Sequence, residues 1–126
     1  MATILVVDDR PDSRYATVRV LEGAGHDVRQ TGSGRDGLRL ARLQPDLIVL
    51  DVVLQDLDGF GVCEKLKVDP ATAGIPVVMK TAVHGDPEHR QRGLAAGAEE
   101  YLTDPVSPEQ LLSVVAALLD DRRSPA

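Results

Sequence analysis

Three stretches of this chain are apolar almost without interruption: TILVV (3–7), DLIVL (46–50) and IPVVM (75–79). Continuous rather than alternating apolarity predicts strands covered on both faces, as in a parallel sheet between helices. Two more polar stretches, 26–31 and 99–102, predict weaker strands of the kind tolerated at a sheet edge. Between the strands the spacing turns helical. Residues 11–24 set Tyr15, Val18 and Leu21 on one face and stop near Gly25. Residues 33–43 open on Ser33-Gly34-Arg35-Asp36, an approximate capping box, and bury Leu38, Leu40 and Ala41. Residues 58–68 offer Phe60, Cys63 and Leu66. Asp86 followed by Pro87 reads as an N-cap and a first-turn proline opening a helix to Ala96. That helix has Leu94 as its one large hydrophobe and should be loosely held. The last helix opens on a second capping box, Ser107 to Gln110. It carries Leu111, Leu112, Val115, Leu118 and Leu119 on one stripe, widened by Val114.

Five strands alternating with five helices predict an α/β fold with a doubly covered parallel sheet. The reading is one domain over 1–120 and a polar tail over 121–126, with 126 residues enough for a single core. Aromatics are only 2% of the chain, so Val, Leu, Ile and Ala must fill that core. A net charge of −6 argues against direct binding to nucleic-acid phosphates, which needs clustered Lys and Arg. No apolar run reaches the roughly 20 residues of a membrane span, and no N-terminal signal pattern is present. A cytoplasmic setting is the expectation, with the lone Cys63 a buried structural thiol.

The acids follow the strands. Asp8 and Asp9 end the first, Asp51 the third and Asp104 the fifth, and Thr81 follows the fourth. In an open parallel sheet these positions share the edge where ligands bind. Two carboxylates about 5 Å apart at an effective dielectric near 20 repel by about 3 kcal/mol. Such a cluster persists by binding a hard divalent cation or by keeping one member protonated. The plainer alternative assigns each aspartate to a cap or a turn.

The segments ILVVDD (4–9), DLIVLDVVLQDLDGF (46–60), IPVVMKTA (75–82) and GAEEYLTDP (97–105), in this order and spacing, resemble the receiver domain of two-component response regulators. The resemblance covers 3–119 and implies a flavodoxin-like fold with strand order 2-1-3-4-5. It implies that Asp51 is a phosphoacceptor, taking a phosphoryl group from a histidine kinase or phosphotransfer protein. By the same resemblance Asp8, Asp9, Asp51 and the Val53 backbone carbonyl hold Mg²⁺ (or Mn²⁺), Thr81 donates its hydroxyl to the phosphoryl group, and Tyr101 is an aromatic switch. It further implies a signalling face on the fourth helix, fifth strand and fifth helix, suited to a homodimer or an effector.

One position departs from the family. Receivers nearly always carry lysine where this chain has Asp104, turning an attraction for the acceptor into a repulsion. Lys80, odd at the end of an apolar strand, is the candidate replacement cation or a direct partner for Asp104, although strand alternation points it away from Thr81's face. Arg10 is the weaker candidate, explained by Asp9 and Asp12 beside it.

Rival functions remain. Gly32 to Gly37 fits G-x-G-x-x-G after a strand and before a helix, a dinucleotide-binding pattern, but it follows the second strand rather than the first. A haloacid-dehalogenase-like phosphatase would want Asp-x-Asp, which Asp51-Val52-Val53 lacks. A pseudo-receiver would bind partners without phosphorylation. His26, His84 and His89 read as too scattered for a metal site, with His84 bordering the loop after Thr81.

Overall fold

In the computed structural model, which describes residues 2–123, the strand runs become the middle of a five-stranded parallel sheet. The elements alternate as β1 (Thr3–Val7), α1 (Pro11–Gly23), β2 (Asp27–Thr31), α2 (Gly34–Ala41), β3 (Leu47–Asp51), α3 (Gly59–Val68), β4 (Val77–Thr81), α4 (Pro87–Ala95), β5 (Glu100–Thr103) and α5 (Pro108–Arg123). The order across the sheet is β2-β1-β3-β4-β5, as the resemblance implies. It reverses between β1 and β3, so a crevice opens beyond their carboxyl ends.

Two cores explain the unbroken apolar runs. Ile4, Val6, Leu47, Val49 and Val78 face α1 and α5, where Val18, Leu21, Leu111, Val115 and Leu119 cover them. Leu5, Val7, Ile48, Leu50, Val77 and Met79 face the other way, under Ala41, Phe60, Cys63 and Leu66. Burying both alternating faces leaves no polar register on the central strands. The edge strand β2 is largely exposed, which is why its sequence is polar. Cys63 is fully buried, its Sγ 3.5 Å from the Ala96 carbonyl oxygen, and burial pushes its thiol up to about 11. It is the structural thiol expected.

Several details differ from expectation. Tyr15 is 63% exposed; Thr17 is buried beside Val18 and Leu21 in its place, and the Arg19 guanidinium lies over the Tyr15 ring. The α1 face turned to the sheet is therefore rotated toward Thr17, and one apolar residue per turn was too sparse a signal to place it. Strand β4 starts two residues late and runs on through Lys80 and Thr81. Leu38 and Leu40 are only partly buried, because α2 approaches the sheet through Gly37, where a Cβ would press on Val7. Helix α4 buries only Gly93, with Leu94 41% exposed. Helix α5 runs into the stretch expected as a tail, as far as Arg123; residues 124–126 lie outside the described residues.

Gly59 joins this packing to the site, since its N–H donates to the Val52 carbonyl at 2.8 Å and a Cβ there would overlap the carbonyl oxygens of Asp51 and Val52. Gly59→Ala should therefore lower stability by about 3 kcal/mol in urea denaturation. Gly61→Ala, two residues on in open space, should raise it by up to about 1 kcal/mol.

Candidate functional site

Strand β1 delivers Asp8 and Asp9 just past its end, and β3 ends on Asp51, across the switch in strand order. Asp8 and Asp51 are buried, at 6% and 8% exposure, and Asp9 is half-buried. One carboxylate oxygen from each lies within 4.8 Å of the others. The three expected ligands therefore converge. Burial and then the Asp8 charge raise the Asp51 carboxyl to about 6. The Val53 N–H, which donates to Asp51 Oδ1 at 3.3 Å, and the Arg10 guanidinium pull it back down. Asp8 Oδ1 accepts the Arg10 backbone N–H at 2.9 Å, so this carboxylate is aimed by its own turn. A cavity of about 310 Å³ opens beside Asp51, with Asp9, Arg10, Val53 and Val83 on its walls. Clustered carboxylate oxygens with room for water are the donor set of a hard divalent cation.

Thr81 is buried, and its Oγ1 accepts the N–H groups of Val83 and His84 at 3.2 and 3.3 Å. A hydroxyl that accepts twice still has its own hydrogen to donate. Tyr101 is 1% exposed and its hydroxyl donates to the His84 carbonyl at 2.6 Å. The ring lies on Gly93, where a Cβ would meet it at 2.5 Å. Thr81 and Tyr101 thus hold one loop, residues 82–86, from two sides.

The charge at Asp104 is balanced. Lys80 Nζ lies 2.7 Å from Asp104 Oδ1, and an Arg10 guanidinium nitrogen lies 3.9 Å from Oδ2. Alternation along β4 turns Lys80 to the α1–α5 side, into a cavity of about 350 Å³ shared with Asp104, Arg10 and Thr17. Of the two roles expected for Lys80, it takes the direct pairing with Asp104. The cation felt at Asp51 is Arg10, which borders both cavities.

The glycine-rich segment has a different occupant from a dinucleotide. Asp56 accepts the backbone N–H groups of Gly34 and Arg35 at 2.8 and 3.0 Å and the Ser33 hydroxyl at 2.9 Å. Those bonds, the α2 backbone donors first, hold the Asp56 carboxyl down at about 2. A carboxylate of the chain itself fills the start of α2, where a pyrophosphate would need to lie. Gly34 and Gly37 serve packing, since Cβ atoms there would press on Leu57 and Val7. Asp56 was not singled out in the sequence; the signal available was an extra acid in a loop already rich in them. The histidine reading is also corrected. His26 stands apart, but His84, Asp86 and His89 bring ligand atoms within 4.8 Å of one another, because α4 begins at Pro87 and folds His89 back over the loop.

A family model of the response regulator receiver domain matches residues 4–116. The chain belongs to this family. It is similar to Protein PilH of Pseudomonas aeruginosa, 39% identical over 120 residues that cover 94% of this chain and 98% of PilH. It is also similar to the DNA-binding dual master transcriptional regulator RpaA of Synechocystis, 46% identical over 94% of this chain. There the chain spans about half the relative's length, 49%. Among solved structures it is similar to the receiver domain of a Pseudomonas aeruginosa sensor histidine kinase, which has a magnesium ion coordinated in its active-site cleft. That match has a TM-score of 0.86 and 25% identity, covering 94% of this chain and 98% of the other. No described helix is long and apolar enough to cross a membrane.

The raised Asp51 carboxyl sets a pH dependence. A carboxyl raised from 3.8 to about 6 on folding contributes stability fully present below pH 4 and lost as pH rises through 6. In metal-free buffer above pH 7, Asp51→Asn should be more stable than wild type by about 1 kcal/mol, allowing for solvent screening at the open cavity. The gap should close by pH 4 in denaturation series at stepped pH.

Proposed function

We propose that this receiver domain is a phosphoacceptor whose Asp51 takes a phosphoryl group from the phosphohistidine of a histidine kinase or phosphotransfer protein. The observation that carries the reading is the convergence of Asp8, Asp9 and Asp51 within 4.8 Å at the strand-order switch. Their carboxylates, with the Val53 backbone carbonyl, would hold Mg²⁺ or Mn²⁺ beside the acceptor. A cation there supplies neutralising charge, without which an anionic oxygen approaches an anionic phosphorus poorly.

The rest is the work of the chain. An Asp51 carboxylate oxygen forms the new bond to phosphorus as the phosphorus–nitrogen bond breaks, and the electron pair stays on the departing imidazole. Burial of Asp51 limits competing water, and Arg10, exposed at the cavity mouth, meets the incoming charge. Thr81 donates its hydroxyl to the phosphoryl group. To do so it draws on the same oxygen that holds the Val83 and His84 amides, so the loop moves with it. Moving that loop displaces the His84 carbonyl from the Tyr101 hydroxyl, which couples the acceptor to α4 and β5. The face formed by α4, β5 and α5 is the proposed surface for a second copy or an effector.

A second reading, a phosphorylation-independent binding module, is favoured by one observation: Lys80 is engaged by Asp104 and no lysine follows β5.

The two readings separate on a small phosphodonor and on fluoroberyllate. With Mg²⁺ present, wild type should be labelled once and should bind fluoroberyllate, and Asp51→Asn should do neither. Arg10→Ala should weaken fluoroberyllate binding about tenfold, as expected for one charge-assisted contact of about 1.5–3 kcal/mol. Absence of labelling and of analogue binding in the wild type would leave the binding-module reading standing.

A further inference from the structure

We propose that His84, Asp86 and His89 form a second metal site, for a borderline divalent ion such as Zn²⁺, and that the ion fixes the loop between β4 and α4 against Tyr101. Two imidazoles and a carboxylate with ligand atoms within 4.8 Å are three donors of the type such ions select, leaving one position for water. The acid pocket offers oxygen only, so hard and borderline ions divide between the two sites.

The local geometry favours closure. Asp86 caps α4, accepting the His89 N–H at 3.3 Å, and its other oxygen lies 2.6 Å from His89 Nδ1. The His84 and His89 rings are stacked, centroids 4.1 Å apart and 13° from parallel. Parallel rings do not yet aim their lone pairs at one point. Closing on an ion requires the His84 ring to turn about its last torsion until a nitrogen meets Asp86 and His89 Nδ1. Both rings border a cleft of about 440 Å³, which leaves room for that turn. The ion takes the place of the hydrogen shared between His89 Nδ1 and Asp86, with His89 passing to its Nε2–H tautomer. Ligands about 2.0–2.1 Å from a tetrahedral ion stand somewhat over 3 Å apart, so His89 Nδ1 and Asp86, now 2.6 Å apart, open slightly while the His84 nitrogen closes in from within 4.8 Å.

His84 links this site to the switch. Its carbonyl accepts the Tyr101 hydroxyl, and its N–H and that of Val83 donate to Thr81. An ion holding the His84 side chain holds this backbone too. On the phosphoacceptor reading above, Zn²⁺ then opposes phosphorylation, and by linkage phosphorylation weakens Zn²⁺.

The test is Zn²⁺ titration calorimetry on the untagged full chain at pH 7.5, with Mg²⁺ in excess to fill the acid pocket. Wild type should take up one Zn²⁺. His84→Ala, His89→Ala and Asp86→Asn, the last able to keep the helix cap, should each weaken it at least tenfold with unchanged circular dichroism. Undiminished uptake in the His84→Ala/His89→Ala double variant would overturn the site. Hydrogen exchange of the Val83 and His84 amides should slow with Zn²⁺ in wild type alone, and equal exchange would overturn the fixing of the loop. Fluoroberyllate affinity should fall several-fold with Zn²⁺ in wild type and not in the double variant. Failure of fluoroberyllate to bind even without Zn²⁺ would count against the phosphoacceptor reading and not against the zinc site, which titration and exchange decide separately.

Discussion

Like charges held close together at the end of a buried sheet are the constraint from which the other features of this molecule follow. The parallel sheet cannot avoid the crowding. Once Ile4, Val6, Leu47 and Val49 are packed under α1 and α5, and Leu5, Val7, Ile48 and Leu50 under α2 and α3, the register between β1 and β3 is settled, and Asp8 and Asp51 come together. Hydrophobic burial far from the pocket therefore supplies the force that keeps its acids adjacent. Burial first, and then the neighbouring Asp8 charge, raise the Asp51 carboxyl. A cation bound there would relieve repulsion already present in the fold.

The second theme is where the positive charge went. Just past β5 the chain places Asp104, and one strand over it places Lys80, so the pair closes on itself 2.7 Å apart. Lys80 is only 14% exposed on its side chain, and Asp104 25%. Neither group is free to meet a phosphoryl group without leaving the other. Arg10 stands between the two cavities, close to Asp104 on one side and felt by Asp51 on the other. Its exposure gives it freedom that Lys80 lacks.

The strands, their order and the acid trio were legible because each follows from a short-range pattern: an unbroken apolar run, then an acid. Contacts between distant segments were not. Asp56 meets the start of α2 from 22 residues away, and nothing local marks it among Asp51, Asp56 and Asp58. Tyr15 was misplaced because α1 buries a threonine, Thr17, in a position where pattern reading favours an aromatic. The approach of His84 to His89 depends on where α4 begins and how its first turn folds over the loop, and a five-residue spacing alone does not show it. Lys80 and Asp104 were suspected of pairing on charge, but choosing between that and a reach toward Asp51 required the side of the sheet on which Lys80 emerges.

The central claim is that the acid pocket is a binding site for a doubly charged ion and not three caps that happen to be neighbours. Calorimetric titration of the metal-free chain with Mg²⁺ tests it most directly. The account predicts saturable uptake of one ion per chain that disappears when Asp8 and Asp9 are both changed to asparagine. Absence of saturable uptake in the wild type, or uptake undiminished in that double variant, would contradict it.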